Sequence, residues 1–548
     1  MRLATLVSIL LAVLPNPATA QNPAPSPILV TGMVHIDPIG TPPDSFATIA
    51  SYGQHRSAIQ WYLSLAAQTG LRLSAQMTGV YAEACVRQGD AGDFSAFMPG
   101  GAHHLGSHLH ANVKRSDAYG WRLLPEWAYS NPDSTRRVFA DNMPWVNSVF
   151  AQNGFVESDN WFLHGTHASY PGMEGDLWCL SDPGTLPYAN CFLMAASQRG
   201  AHWVHRGGYA LEPTQTSDES YVKLGEVGGI IGVDAVHGPE GMVWGTVPYQ
   251  KRDFLRVYLE WRESARLGEE SAIRFFNWMI HPYQLIPGYL GTDGRPPRLS
   301  IAEFVDWLRA EFIGQADETG FVMARFANAR EIAETHAQWA ATHPSDAAAL
   351  QALLAAGGRP LRLPAIFDRL ETTFYSAAVP VADPAIAAHR LIDRASGAAL
   401  LVVWSRAGDR PAAPSFSGAF TVLRGSGATE TVPADELVIG EEPVVLEPLG
   451  ATGVSDGRAA VPAVSSVSFE PNPAGETARL AFSLASPAEV TVRVFDASGR
   501  LVWSERSPAA SAGRNERRVN VSAWPAGVYW SLVDAGDASA HASLRVVR

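Results

Sequence analysis

The chain has 548 residues, a net charge of −13, 47% hydrophobic and 17% charged residues. It is too long for one core and points to about three domains of a globular protein. The negative balance excludes nucleic acid and anionic membrane surfaces as partners, since both repel an acidic chain.

Residues Met1–Ala20 read as a secretory signal. Arg2 supplies the positive start, Leu3 to Leu14 is an uncharged apolar run, and Ala18-Thr19-Ala20 gives the small-x-small cleavage pattern. The run is too short to span a bilayer, and no later stretch is apolar enough to do so. The expected location is therefore outside the cell. In an oxidising compartment Cys179 and Cys191 are candidates for a disulfide, which leaves Cys85 over, buried on a helix. There is no CxxC motif.

After a Pro-rich tether, strand and helix patterns alternate from Ile28 to about residue 345. Ile28-Leu29-Val30 opens a buried strand ending near Asp37. A helix capped by Asp44 or Ser45 carries Ile59, Leu63 and Ala66 on one face and stops at Gly70. Leu71, Leu73, Ala75 and Met77 then alternate as a strand, and Phe304, Trp307 and Leu308 share one face of a late helix. Such alternation implies a parallel sheet or barrel, with its chemistry at the C-terminal strand ends.

From residue 358 to residue 449 the pattern becomes all-β, with Leu400-Leu401-Val402-Val403-Trp404 as its strongest strand. Gly450 to Val464 is a linker. A second all-β module covers residues 465–548, where Val490, Val492 and Val494 alternate and Gly527-Val528-Tyr529 opens a later strand. It resembles the C-terminal sorting domain of type IX secretion cargo. The resemblance rests on Pro471-Asn472-Pro473, Asp496-Ala497-Ser498-Gly499-Arg500, Pro525-Ala526-Gly527-Val528-Tyr529 and the terminal Arg548. It implies passage through the type IX machinery and attachment at the cell surface. An ordinary immunoglobulin-like accessory domain is the alternative.

Four histidines crowd into Gly100-Gly101-Ala102-His103-His104-Leu105-Gly106-Ser107-His108-Leu109-His110. His108 and His110 are close enough to share one ion, and imidazole is a common zinc ligand. A pair at i and i+2 of a strand faces one side, so a packed polar patch fits the spacing too. His35-Ile36-Asp37 ends the first strand, and Met279-Ile280-His281-Pro282 follows another apolar run.

Taken in order, these segments resemble a divergent polysaccharide deacetylase of the NodB-homology type. Asp37 matches the metal-binding aspartate after the first strand. Ala102-His103-His104-Leu105-Gly106-Ser107-His108 is similar to the family's second motif. Arg206-Gly207-Gly208-Tyr209 looks like its arginine motif, Gly229 to Val236 is comparable to the segment that follows, and His281 matches the closing histidine. The resemblance implies a distorted (β/α) barrel over residues 28–345, followed by the two sandwich-like all-β modules. It implies one divalent metal ion, zinc for preference, on Asp37, His108 and His110. Asp37, Arg206 and His281 would be the catalytic residues, with Arg206 orienting the base and His281 protonating the leaving group. The chain departs from the family in two places. The base position falls on Ile36, for which His35 or Asp234 would have to stand in. Asn112 occupies the second metal-histidine position, which leaves that ligand to His110.

The resemblance thus implies a secreted metal-dependent carbohydrate deacetylase or esterase acting on a polysaccharide. Trp161, His164, His167, Tyr170, His202, Trp203 and His205 could shape a sugar-binding cleft, although core packing accounts for most of the 16 tryptophans. A glycoside hydrolase is the competing enzyme. It needs a facing carboxylate pair, for which Glu126, Asp159, Glu174 and Glu212 are candidates. A glycan-binding protein without catalysis is the third reading. There is no phosphate-binding glycine loop.

Overall fold

A computed structural model describes residues 25–36, 49–109, 112–114, 120–123, 132–155, 163–166, 192–193, 227–230, 247–268, 273–291, 295–355, 361–413, 415–449, 464–484, 486–496, 501–535 and 538–548. Among the described residues the first part of the chain holds the strands β1 (Ile28–Ile36), β2 (Leu73–Met77), β3 (His104–Leu109), β4 (Asn112–Lys114), β5 (Trp121–Leu123), β6 (Leu163–Thr166), β7 (Phe192–Leu193), β8 (Val227–Ile230), β9 (Phe275–Ile280) and β10 (Ala324–Phe326). The helices are α1 (Ile49–Thr69), α2 (Gly79–Gln88), α3 (Pro132–Gln152), α4 (Val247–Leu267), α5 (Pro297–Glu311), α6 (Ala329–Thr342) and α7 (Pro344–Ala355).

Every residue of β1 and β2 is buried, the pattern of strands covered on both faces. They lie inside one sheet of order β7-β6-β3-β2-β1-β9-β8, with β10 also paired to β1. All of its pairings are parallel. Its outermost strands β7 and β8 do not pair with each other among the described residues. β4 and β5 form a separate antiparallel hairpin.

Period-two alternation splits the sheet into two unlike faces. One is apolar and packs on helices. Phe276 meets Phe254 of α4 at 5.3 Å between ring centroids, and Trp278 meets Phe304 of α5 at 5.4 Å. The Trp278 indole N–H donates to the Tyr62 hydroxyl of α1 at 2.9 Å. The other face mixes polar groups with apolar ones such as Leu29 and Met33 and is taken up below. Helix ends follow local chemistry. Gly70, at φ +77°, follows α1 as the sequence implies. Asn328 caps α6, accepting from the Glu331 N–H at 3.0 Å while the Glu331 carboxylate accepts from the Asn328 N–H at 2.9 Å. Cys85 is buried on α2.

Helix α4 is buried without a break from Arg252 to Ala265. A helix covered on all sides needs two partners. One is the parallel sheet. The other is the sheet β11-β12-β13-β18-β15-β16, built from β11 (Thr373–Ala378), β12 (Ile386–Asp393), β13 (Ala399–Ser405), β15 (Ala419–Arg424), β16 (Thr429–Pro433) and β18 (Val444–Pro448). A short pair, β14 (Arg410–Pro411) with β17 (Val438–Ile439), and helix α8 (Pro364–Glu371) complete this region. Along β13, Leu400, Val402 and Trp404 join the core that contains α4, whereas Leu401 and Val403 face a second, smaller core. One continuous apolar core therefore runs from β1 to β18.

The polar residues of α4 bind across this junction. Arg252 donates to the Glu371 and Thr373 carbonyls at 2.6 and 2.7 Å. Arg256 donates to the Phe367 carbonyl at 2.8 Å and lies 3.8 Å over the Phe367 ring. Arg262 reaches the Glu441 and Ser405 carbonyls at 2.6 and 3.0 Å and the Glu318 carboxylate at 2.5 Å. Glu260 accepts from the Arg362 and Leu363 N–H groups at 2.5 and 2.8 Å, while Arg274 lies 3.7 Å from it. Burial raises the Glu260 carboxyl pKa, and Arg274 opposes the shift.

The last unit is a sandwich. β19 (Val464–Glu470), β20 (Thr477–Leu484) and β23 (Gly513–Asn520) form one sheet; β22 (Leu501–Ala510), β21 (Ala488–Asp496), β24 (Gly527–Ala535) and β25 (Ala538–Val546) form the other. Val490, Val492 and Val494 point into the core between them, in the alternation read from the sequence. Asn472 accepts from the Arg545 N–H and donates to the Ser543 carbonyl, both at 2.8 Å, which ties the β19–β20 loop to β25. The Tyr529 hydroxyl donates to the Pro525 carbonyl at 2.8 Å. Arg548 donates to the Val521 and Ser522 carbonyls at 2.7 and 2.9 Å and also binds the Gly475 and Trp524 carbonyls.

Removing the Glu260 carboxylate leaves buried donors and Arg274 without their acceptor, so Glu260→Ala is expected to cost roughly 3–5 kcal/mol. Chemical denaturation of the purified variant measures this. A chain truncated after residue 358 exposes the α4 guanidiniums and the side of the shared core that the second sheet covers. It is expected to lose cooperative unfolding in calorimetry.

Candidate functional site

On its polar face the parallel sheet buries Thr31 and His35 of β1, Ser74 and Gln76 of β2, His104 of β3 and Asn277 of β9. Burying such groups costs free energy unless they are hydrogen-bonded. Toward the N-terminal strand ends the protein itself satisfies Thr31 and Ser74. Thr31 donates to the Arg72 carbonyl at 3.0 Å and lies 2.9 Å from the Ser74 hydroxyl. Ser74 in turn accepts from the Ala329 N–H of α6 at 2.8 Å. Those groups are structural.

Toward the C-terminal ends the face becomes imidazole and amide. His35 is in register with Gln76, and Gln76 with Gly106. β1 and β9 are neighbours, so His35 meets His281, the residue after β9, with ring centroids 5.6 Å apart and planes at 84°. Both are almost fully buried, at 0% and 5% exposure.

Their surroundings choose the tautomers. Gln284 Oε1 accepts from the His281 backbone N–H at 2.9 Å and lies 3.2 Å from His281 Nδ1. An oxygen that already accepts one hydrogen has none to give, so Nδ1 carries the proton and Nε2 the lone pair. The same logic applies to His35. Its Nε2 lies 3.1 Å from the Met33 sulfur, which can only accept, so the lone pair sits on Nδ1. The Tyr283 ring stacks on His281 at 5.2 Å. Two imidazoles therefore stand together at adjacent C-terminal strand ends.

The histidine-rich segment divides into different roles. His103 accepts the Leu73 N–H on Nδ1 at 3.1 Å, which satisfies an edge donor of β2. Burial first, and then Arg72, lower its pKa to about 4. His104 opens β3, and His108 lies further along it, in register with Gly165 of β6. In the sheet order β2 and β1 stand between His108 and His281. Asp37, His110 and Arg206 lie outside the described residues, as do Asp234, the Cys179–Cys191 pairing and the carboxylates Glu126, Asp159, Glu174 and Glu212. No group of three His, Cys, Asp or Glu in metal-holding positions occurs among the described residues. No described helix is long and apolar enough to cross a membrane.

The sequence reading passed over Gln76 and Asn277. Their signal was available: Ser74, Gln76 and Thr78 alternate with Leu73, Ala75 and Met77 in a strand buried on both faces.

A neutral His103 accepts a hydrogen bond that protonation would abolish. Its folded pKa lies below the unfolded value, so the unfolded chain binds more protons between about pH 6.5 and 4. Stability from this group is complete above pH 6.5 and falls by about 3 kcal/mol as pH drops to 4. His103→Gln, measured by denaturant unfolding across that range, is expected to flatten the loss.

Comparison with known proteins locates one unit. Residues 469–546 match the secretion system C-terminal sorting domain. No curated protein matches the chain. Among solved structures, dimeric latent PorU from Porphyromonas gingivalis is 16% identical over 32% of this chain and 20% of that one, with a TM-score of 0.15. The β-glucuronidase of Faecalibacterium prausnitzii is 14% identical over 26% and 37%, with a TM-score of 0.13. That of Ruminococcus gnavus is 12% identical over 27% and 34%, with a TM-score of 0.12. The chain thus spans well under half of each, and likenesses this slight carry no argument. The sandwich, with Asn472, Tyr529 and Arg548 binding its strands and loops together, is a type IX secretion sorting domain, and it marks the chain as a secreted, surface-directed protein.

Proposed function

We propose that the chain is a secreted metal-dependent carbohydrate deacetylase or esterase acting on a polysaccharide, on a distorted (β/α) barrel. The observation that carries this reading is the His35–His281 pair at neighbouring C-terminal ends of a parallel sheet. Chemistry in such sheets collects at those ends. Secretion by a surface-directed route suits a polymeric extracellular substrate.

His281 has the chemistry of the acid in this reading. Gln284 holds its Nδ1–H, which aims Nε2 away from the protein backbone and lets it take up and return a proton. His35 lies against it and suits the missing base position better than Ile36, whose side chain is apolar. By residue type the donor set suits a divalent cation: one carboxylate and two imidazoles are hard and borderline ligands that zinc accepts. Asp37, His108 and His110 would hold the ion. When bound, it would polarise the acetyl carbonyl and acidify a water. Arg206 would orient the base.

The purified protein is expected to hold about one zinc or similar ion per chain and to release acetate from acetylated glycans. His108→Ala is expected to lose the ion with the fold intact; unchanged metal stoichiometry in that variant rules out the ligand assignment. His281→Asn is expected to keep the ion and lose 10²–10⁴-fold in acetate release. Turnover of unacetylated glycosidic bonds, without metal, would instead favour the glycosidase reading.

A further inference from the structure

The register of the four-stranded sheet in the sorting sandwich fixes which residues look inward. Val490 stands opposite Ala535 and Val492 opposite Val533, and all four lie in the sandwich core. Trp530, Leu532 and Asp534 alternate with them along β24 and therefore look outward. The outer face of a sandwich is ordinarily solvated. Here Trp530 is 7% and Leu532 6% exposed, while Val528, on the same outer row, is 40% exposed. Neither Trp530 nor Leu532 is among the core residues between the two sheets. A cover from outside the sandwich therefore lies over the middle of this face and leaves its end open.

The charges around the face identify that cover. Arg493, opposite Leu532, donates to the Asp534 carboxylate at 2.8 Å. Burial raises the Asp534 pKa and the Arg493 bond opposes it; Glu303 of α5 and Arg295, just before α5, also act on this carboxylate. Arg295 in turn bonds Glu303 at 2.6 Å. Asp496, at the end of β21, acts on Arg298 in the first turn of α5, where it opposes the burial that lowers the Arg298 pKa to about 10. Two acids of the sandwich thus face two arginines at the start of α5. The exposure of α5 agrees. On its outward stripe Leu299 and Glu303 are half-buried, whereas Asp306 and Ala310, further along the same stripe, are exposed.

We propose that the outer face of this sheet is a docking surface for the first two turns of α5, with Trp530 and Leu532 at its centre and the pairs Asp534–Arg295 and Asp496–Arg298 at its rim. An apolar centre inside a charged rim is the usual build of a protein interface. The tail that addresses the chain for secretion is then clamped to the unit that carries the histidine pair, rather than joined to it by the linker alone. The clamp also reaches toward that pair. Arg298 donates to the Leu285 carbonyl at 2.5 Å, and the preceding residue, Gln284, holds His281 Nδ1. The docked sheet thus backs the segment that orients His281. This inference is independent of the reaction proposed for that site.

The test uses the full-length protein and reads each side of the contact from the other. Trp530→Ser combined with Leu532→Ser removes the apolar centre and leaves the sandwich core intact. Amide hydrogen exchange in residues 297–303 is expected to quicken by about tenfold or more in that variant. Val528→Ser, at the open end of the same face, is expected to leave that exchange unchanged. Arg295→Glu sets a like charge against Asp534. Hydroxyl-radical labelling of Trp530, slow in wild type, is expected to rise several-fold in that variant, and this reading decides the question if the serine pair does not fold. Unchanged α5 exchange in a folded serine pair overturns the inference, as does rapid labelling of Trp530 in wild type. So does protection of Trp530 that disappears on dilution together with a fall in sedimenting mass, which would assign the face to a second copy of the chain.

Discussion

Helix α4 joins the parallel sheet to the second sheet. Charged residues seldom lie inside a protein, because removing an ion from water costs several kcal/mol even after relaxation. α4 buries Arg252, Asp253, Arg256, Glu260 and Arg262 along one helix. They are tolerable there because backbone carbonyls and amides on the far side of the junction accept and donate to them. Those partners, from Arg362 to Glu441, belong to the second sheet and the segments around it. The apolar side of the junction is equally shared, since Tyr258 faces Trp404 as well as Phe312. The second sheet is thus a wall of the first unit, and the parallel sheet keeps its covering helix only while that wall is in place.

That arrangement frees the other face of the parallel sheet for polar groups. A parallel sheet between helices on both sides shows near-continuous apolar strands. Here Thr31, His35, Ser74 and Gln76 interrupt that run on one face of β1 and β2, beside the apolar Leu29 and Met33. Polarity inside a sheet is stable only where bonds are supplied. Thr31 and Ser74 find them in the protein. At the strand ends the supply changes to His35, His281 and Gln284, whose bonds set tautomers instead of merely satisfying donors. The same face therefore passes from groups bonded within the sheet to paired imidazoles within a few strand residues.

The sorting sandwich shows how short motifs act through convergence. Asn472, Tyr529 and Arg548 are far apart in the chain, yet each bonds a backbone group that closes an edge or a loop of the same small fold. A module of this size has little core, and such bonds to the backbone define its ends.

Much of this was legible in the residues alone. The strand of Ile28, the stop at Gly70, the helix of Phe304 and Trp307, the strand of Leu400 and the valine alternation at Val490 are local signals, written in period and turn chemistry over a few residues. The sorting domain was legible because its short segments occur together and in order. The candidate site was legible only in part. His281 announced itself as a histidine after an apolar run, but His103 looked like a site residue and is a structural acceptor for Leu73. Gln76 was hidden because its polarity reads as a break in an apolar strand. The contacts of His35 with His281, and of α4 with residues more than a hundred positions downstream, have no local trace. Sequence determined which elements form and where the chain is sent. Only the tertiary structure decided which buried polar groups are satisfied and which face one another, because hydrogen-bond partners there come from strand order and helix packing rather than from neighbours in the chain.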